Sequence, residues 1–202
     1  MAFLLALLPF PAPAAEPYVF VEGGVAWSFD RSNSDEVEFG DEPGGSLSIG
    51  IGQRYSIANS WSIDGEAQMI GQILPLHGRN DQREATADGR ELWLAGLTVN
   101  GWAAYALDEQ WSLYAGGGAG PAVVGAFGST AATALLIGGG GVRYDPGGAI
   151  GFDVGGRYYW TAPTSVNGAE SRYDGFGPSF RLTYSFDQRR SPDAAASAST
   201  TR

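Results

Sequence analysis

Four acidic and four basic side chains lie within apolar segments that alternate with period two, and their ionisable groups could form salt bridges or transfer protons or ions. They are Glu22, Arg54, Asp64, Glu66, Arg143, Asp153, Arg157 and Arg181. Residues two apart along a β-strand project from the same face, so these charges share a face with small or polar residues. Equal numbers of opposite charges predict a structural network of salt bridges in an enclosed interior, and a proton or ion relay is the alternative.

Hydrolytic chemistry is the other candidate, and it needs a histidine as general base. His77 is the only histidine of the chain, and it falls in a polar segment predicted to be a loop between Leu76 and Gly89. The chain has no cysteine, so a metal centre is not favoured either. We therefore predict no catalytic residue, no metal and no cofactor, with a lipid A-modifying enzyme as an alternative.

The net charge of the chain is −10, which bears on possible partners. Binding to the nucleic-acid backbone needs clusters of lysine and arginine, so no nucleic-acid partner is expected. Acidic residues concentrate between Asp30 and Glu42. This segment is predicted to be a solvated loop, and a divalent-cation site that bridges to lipopolysaccharide is the alternative.

Eight segments position these charges, and each alternates large apolar residues with small or polar ones. A period of two is typical of β-strands with two different faces. In the fourth segment Leu92, Leu94 and Trp102 break the alternation. The segments are residues 18–30, 46–57, 61–74, 92–105, 111–123, 133–144, 150–160 and 179–186.

The connections between these segments alternate between short and long. Residues 58–60, 107–110 and 145–148 form tight turns, whereas residues 31–45, 75–89, 125–132 and 163–175 are predicted to be long loops. The fold predicted is all-β, an eight-stranded antiparallel up-and-down transmembrane β-barrel. Five aromatic residues next to the short turns are predicted to form an interfacial girdle. They are Tyr55, Trp61, Tyr105, Trp111 and Tyr144.

The two ends of the chain differ from the central part. Residues 1–15 combine an apolar stretch with small residues near Ala14 and Ala15, the pattern of a secretory signal peptide. Residues 16–186 form the predicted barrel domain. Residues 187–202 are rich in alanine, serine and threonine and are predicted to be a disordered tail.

Two charge pairs follow from this arrangement of strands. A hairpin turn at Asn59 would place Arg54 opposite Asp64, and closure of the last strand onto the first would bring Arg181 near Glu22. Glycines dominate the same face in the fifth to seventh segments. They predict strong coiling of the sheet, or room for a bulky neighbour such as Tyr114, Tyr159 or an arginine, and a small ligand cavity is the alternative.

Several segments resemble a known family. They are residues 111–120 (WSLYAGGGAG), residues 138–144, residues 153–159 (DVGGRYY) and the last strand, which ends in Phe186. Over residues 16–186 the chain resembles the outer-membrane β-barrel superfamily that includes opacity-type proteins and the OmpA transmembrane domain. The resemblance implies an eight-stranded barrel in the outer membrane of a Gram-negative bacterium. It also implies that Phe186 is an assembly signal read by the barrel-assembly machinery.

The role implied is structural, in envelope integrity or in adhesion through the loops, with outer-membrane lipid and lipopolysaccharide as partners of a monomer.

Two features depart from the family. A tail follows Phe186, and it carries no peptidoglycan-binding domain. Pro121 interrupts the fifth segment, which is acceptable only near the outer end of a strand. A soluble periplasmic barrel that binds a small apolar ligand and a narrow channel remain alternatives.

Overall fold

The computed structural model describes residues 15–28, 38–39, 43–58, 60–77, 90–126, 128–166 and 169–186. These residues form eleven strands, and none of them belongs to a helix that is long and apolar enough to cross a membrane. The strands are β1 (Ala15–Ser28), β2 (Glu38–Phe39), β3 (Gly44–Ala58), β4 (Trp61–His77), β5 (Arg90–Ala106), β6 (Trp111–Ala126), β7 (Ser129–Tyr144), β8 (Ile150–Thr161), β9 (Thr164–Val166), β10 (Ala169–Ser171) and β11 (Asp174–Ser185).

Residues 1–14 and 187–202 lie outside the described residues, so the signal peptide and the disordered tail stay predictions. Ala15, which was assigned to the signal peptide, is the first residue of β1 and pairs with Tyr55. The start of the barrel domain at residue 16 therefore falls one residue inside the first strand.

Eight of the strands form a closed antiparallel barrel. Each pairs with its neighbour in the chain, and β11 pairs with both β8 and β1, which closes the sheet. The eight are β1, β3, β4, β5, β6, β7, β8 and β11. This architecture confirms the predicted eight-stranded up-and-down β-barrel.

The strands tilt strongly around the barrel axis. Stepping from each residue to its paired neighbour once around the barrel leads from Tyr18 to Ser28 on the same strand, a shear of ten residues (28 minus 18). The path runs Tyr18, Gly52, Glu66, Asn100, Gly118, Ile137, Tyr159, Gly175 and Ser28. Barrels of eight strands are tilted by roughly 35–45° and are just wide enough to be filled by side chains.

At one end of the barrel, called here the short-turn end, the connections are as short as predicted. Only a few residues separate β3 from β4, β5 from β6, and β7 from β8. The opposite end, called the loop end, differs from the prediction at residues 125–132. There β6 continues to Ala126 and β7 begins at Ser129, with these two residues paired.

The prediction of a long loop between these two strands is therefore wrong. Apart from Phe127, the segment consists of glycine, alanine, serine and threonine, so it has no series of large apolar residues that would reveal alternation. Backbone pairing does not need them. Gly128 has a φ of 76°, which suits the tight turn that joins the two strands.

Three other details concern the loop end. The backbone of His77 belongs to β4 and pairs with Glu38, so this residue ends a strand instead of lying in a loop. The predicted loop 163–175 contains the small hairpin of β9 and β10. Pro121 lies within β6, five residues from its end, and the β5–β6 pairing is interrupted only between Gly96–Ala122 and Val99–Ala119.

Alternation divides the side chains between an apolar outer face and an enclosed lumen. The three residues that break the alternation, Leu92, Leu94 and Trp102, all point into the lumen and are buried. The lumen has two halves. The half near the short turns, called the charged half, holds the eight charged residues, and the half near the loop end, called the apolar half, holds a cluster that includes Ile70, Leu74 and Leu135.

Candidate functional site: the charged half of the lumen

All eight charged residues singled out from the sequence point into the lumen. Seven of them are buried, and the eighth, Arg54, has a side chain that is 12% exposed. Both register predictions match the observed pairing, since Arg54 is the cross-strand partner of Asp64 and Arg181 that of Glu22. The structure thus brings the whole set together inside the barrel.

One group of ion pairs lies at the middle of the barrel. The Nε atom of Arg181 donates to Oε2 of Glu22 at 2.7 Å, and Arg157 contacts the same carboxylate with its Nε atom 2.8 Å from Oε1. Arg181 also donates to Glu66 through Nη1. Arg181 therefore bridges two carboxylates that come from different strands.

A second group lies closer to the short turns. Arg143 donates to Oδ2 of Asp64 at 2.7 Å and binds Asp153 with two hydrogen bonds of 3.0 and 3.2 Å. Arg54 donates to the other oxygen of Asp64 at 3.1 Å and lies 4.0 Å from the carboxylate of Asp145. Asp145 belongs to the turn after β7 and was not among the predicted residues.

Two aromatic side chains complete the coordination of Glu66. The Tyr18 hydroxyl donates to Oε1 and the Trp102 indole nitrogen donates to Oε2, both at 2.7 Å. Sequence reasoning missed both residues. Tyr18 shares the lumen face with Glu22 by the same period of two, and Trp102 breaks the apolar alternation because it faces inward, so the signal was present in each case.

Arginine side chains also stack on lumen aromatics. The guanidinium carbon of Arg181 lies 4.0 Å from the centre of the Phe20 ring, and that of Arg157 lies 4.6 Å from the Trp102 ring. Planar guanidinium groups favour such contacts with the face of an aromatic ring. The arginines are therefore held both by carboxylates and by rings.

Glycines on neighbouring strands make room for these rings. A Cβ atom added to Gly52 would lie 2.3 Å from the Tyr18 ring, and one added to Gly50 would lie 2.5 Å from the Phe20 ring. On β7, a Cβ atom at Gly139 would lie 3.2 Å from the Arg157 side chain. These three glycines thus leave room for bulky neighbours, and Gly139 is one of the glycines for which this alternative was predicted.

The apolar half closes the lumen toward the loop end. Tyr173 and Thr161 are each 1% exposed. A backbone hydrogen bond joins them, in which Thr161 N–H donates to Tyr173 O at 2.8 Å. Tyr173 packs in the same cluster as Leu74, Leu135 and Tyr159. Burial raises the pKa of the Tyr173 phenol, which therefore stays protonated in this apolar layer.

The short-turn end is more open. A cavity of about 100 Å³ reaches Arg54 and Arg143 there, between the turns that contain Asp108 and Asp145. The described residues hold no group of three or more side chains suited to bind a metal ion. The arginines are permanently protonated in proteins, so a proton relay through these pairs has no chemical basis in the arginine side chains.

The five aromatic residues predicted to form a girdle all lie at the short-turn end. Trp61 and Tyr105 have ring centres 5.1 Å apart, and Trp111 and Tyr144 have ring centres 4.6 Å apart. The Tyr55 hydroxyl donates to Gln53. Phe186 follows β11 at the same end, is 58% exposed, and donates its backbone N–H to Pro17 O.

No protein-family model matches the chain, and no curated protein matches its sequence. Solved structures are similar in fold. Neisserial surface protein A has a TM-score of 0.52 at 16% identity, over 85% of this chain and 99% of that one. Ail of Yersinia pestis has a TM-score of 0.42 at 16% identity, over 85% of this chain and 99% of that one. The outer membrane protease OmpT of Escherichia coli has a TM-score of 0.49 at 10% identity, over 85% of this chain and 96% of that one. The first similarity supports the eight-stranded barrel, and membership of the opacity-type or OmpA-like proteins stays a prediction.

Proposed function

We propose that this chain is an outer-membrane barrel of a Gram-negative bacterium with a structural, envelope-integrity or surface-interaction role. The observation that carries the proposal is the contrast between the outside and the inside. Val99, Ile51 and Leu97 are 60–71% exposed on the outer face, whereas the eight charges are enclosed. In water, charged residues would lie on the outer face and apolar residues inside. A surrounding lipid bilayer favours apolar residues on the outer face and charges inside.

The outer face has the composition that a bilayer requires. Aromatic residues flank it at both ends, with Trp61, Tyr105 and Trp111 at the short turns and Trp27 and Trp93 toward the loop end. Between these two levels, the described outward-facing positions of the eight strands carry no charged side chain. Aromatic girdles around an uncharged apolar band are typical of membrane-spanning barrels.

The height of this band supports the same proposal. On β5 the outward residues Trp93 and Tyr105 lie twelve positions apart (105 minus 93). At roughly 3.3 Å per residue the separation along the strand is about 40 Å. A strand tilt of about 45° reduces it to about 28 Å along the barrel axis, close to the thickness of a hydrocarbon core.

The interior favours a structural or surface role over transport or ligand storage. A soluble barrel that binds an apolar ligand places large apolar side chains around an internal cavity. Here the lumen holds paired charges in one half and a packed apolar cluster in the other. We therefore propose that the barrel has a filled lumen and a structural role. Any surface interaction would involve the connections at the loop end.

Heat modifiability tests the membrane assignment. The mature chain, from Glu16, is refolded in detergent and run unboiled and boiled on a denaturing gel, beside a test of solubility without detergent. A mobility shift on boiling together with dependence on detergent is expected for a closed membrane barrel. A protein that is soluble without detergent and shows no shift would contradict the proposal.

A matched pair of substitutions sharpens this test. Val99→Arg places a charge at the middle of the outer band, and we expect it to lower the free energy of unfolding in lipid vesicles by about 2–4 kcal/mol. Thr130→Arg, an exposed position of β7 beyond the aromatic level, is the control and should change it by less than about 1 kcal/mol. Equal effects of the two substitutions would argue against a bilayer around Val99.

The surface-interaction role needs its own experiment. Replacing residues 79–88, between β4 and β5, by a short glycine-containing turn should leave the mobility shift unchanged. If this connection binds a partner, cells that display the shortened protein should lose adhesion to the surface that the full-length protein recognises. Unchanged adhesion of the cells with the shortened protein, together with loss of detergent resistance in cells that lack the protein altogether, would favour envelope integrity instead.

A further inference from the structure

A polar level separates the two halves of the lumen. Asn100, Thr98 and Arg181 are each no more than 3% exposed. Four of their polar atoms have no hydrogen-bond partner within the part of the chain that the structure describes: Asn100 Oδ1 and Nδ2, Thr98 Oγ1 and Arg181 Nη2. Buried polar groups in folded proteins are nearly always paired with protein or with ordered water.

These groups lie at neighbouring positions. Asn100 is the cross-strand partner of Glu66, and Arg181 donates to that same carboxylate through Nη1. Arg181 Nη2, on the same guanidinium group, is one of the four atoms without a partner. Thr98 precedes Asn100 by two positions on β5, so it projects from the same face, one level closer to the loop end.

The neighbouring β6 strand leaves space for the amide of Asn100. A Cβ atom added to Gly118, its cross-strand partner, would lie 2.1 Å from Asn100 Oδ1. The β5–β6 pairing is also interrupted beside Thr98, at the level of Pro121, which has no N–H to donate. Closer to the loop end on β5, a Cβ atom added to Gly96 would lie 3.1 Å from the side chain of Leu135, which belongs to the apolar half.

We infer that this level binds a small cluster of ordered water molecules, held by Asn100, Thr98 and Nη2 of Arg181 between the charged half and the apolar half. Water fits because the set offers both donors and acceptors, and water can do both. An anion would add a charge to a network in which four acids already balance four bases. A cation would face the guanidinium group of Arg181.

The cluster lies at the boundary between the two halves of the lumen. The charged half and the small cavity at the short turns lie on one side of it, and the apolar half lies on the other. This inference concerns only the interior, so it does not depend on the proposed role of the protein. It holds for the closed barrel whichever partner its surface binds.

Relaxation dispersion of the water oxygen signal, measured on the full-length refolded barrel in detergent micelles, counts long-lived internal water molecules. The double substitution Thr98→Val and Asn100→Leu removes three of the four unpartnered atoms while keeping side-chain size. We expect it to lower the number of long-lived water molecules by about one or more, since each buried water makes about three hydrogen bonds. The control, Thr183→Val, changes a buried lumen threonine on β11 and should leave the signal unchanged.

Two further variants keep the test decisive if the double substitution does not fold, which the mobility shift on boiling reveals. Thr98→Val alone should lower the signal, and Thr98→Ser, which keeps the hydroxyl, should preserve it. A wild-type barrel without long-lived water would overturn the inference. An unchanged signal in Thr98→Val and in the double variant would overturn it as well.

Discussion

The two halves of the lumen are filled by opposite means. The charged half is held by directional contacts, in which each carboxylate accepts hydrogen bonds from arginine, tyrosine or tryptophan at 2.7–3.2 Å. The apolar half is held by close packing of side chains such as Leu74, Leu94 and Leu135, each at most 2% exposed. Both halves are enclosed by the same eight strands.

The contrast shows that a narrow barrel can be closed in two ways with different sensitivities. A buried ion pair is costly to break because the remaining charge stays buried and unpaired. An apolar contact is lost gradually, in proportion to the cavity that a smaller side chain leaves. The charged half should therefore respond to single substitutions more sharply than the apolar half.

The largest effect is expected from Arg181→Met. It removes the arginine that contacts both Glu22 and Glu66, and Arg181 is the one arginine that contacts Glu66 among the described residues. We expect a loss of about 3–5 kcal/mol in the free energy of unfolding. Urea unfolding in lipid vesicles, followed by tryptophan fluorescence, measures it.

The control for this substitution is Arg172→Met. The Arg172 side chain is 45% exposed and lies 3.9 Å from Asp174 outside the lumen. An exposed pair contributes at most about 1 kcal/mol. Similar losses for the two arginines would show that enclosure in the lumen does not set the sensitivity of the charged half.

Leu94→Ala probes the apolar half. Leu94 is 1% exposed and belongs to the cluster that closes the loop end. Truncation of a buried leucine costs about 2–5 kcal/mol, depending on how far the site collapses. The same unfolding measurement in lipid vesicles applies, and Leu97→Ala on the outer face of the same strand should cost less, because the Leu97 side chain is 60% exposed. A smaller loss for Leu94→Ala than for Leu97→Ala would contradict the closed apolar half.

Tyr18→Phe tests a single contact of the charged half. It removes the hydroxyl that donates to Glu66 at 2.7 Å and leaves the ring in place over Gly52. A hydrogen bond to a charged group contributes about 1.5–3 kcal/mol. Tyr55→Phe, whose hydroxyl makes an exposed hydrogen bond with Gln53, is the control and should change stability by less than about 0.5 kcal/mol.

The smallest effect concerns the coupling between the halves. Arg181 and Leu94 share no contact among the described ion pairs and hydrophobic clusters. The losses of Arg181→Met and Leu94→Ala should therefore add within about 0.5 kcal/mol in the double variant. A larger coupling energy, measured in a double-mutant cycle, would mean that the two halves stabilise each other.

Much of this architecture follows from the sequence alone. A strand places successive side chains on opposite faces, so the alternation of Glu22, Arg54 and Asp153 with large apolar residues already assigns them to one face. The number of alternating segments predicts the eight strands, and the short turn near Asn59 predicts the pairing of Arg54 with Asp64. These are local properties, decided within one strand or one hairpin.

The longer-range features depend on the tertiary structure. Arg143 binds Asp64 and Arg181 binds Glu66 across the lumen, and no hairpin joins the strands of either pair. The β6–β7 turn also escapes the pattern, because small residues carry little alternation. The inward position of Trp102 is visible only as a break in the alternation, and its contact with Glu66 depends on the tertiary structure.

What determines these contacts is the shear with which the sheet closes. A shear of ten residues sets the height of every strand relative to the strands on the far side of the barrel. Alternation fixes the face on which a side chain lies, but it has no information about this height. The sequence therefore determined which residues enter the lumen, and only the closed, tilted barrel decided which of them meet.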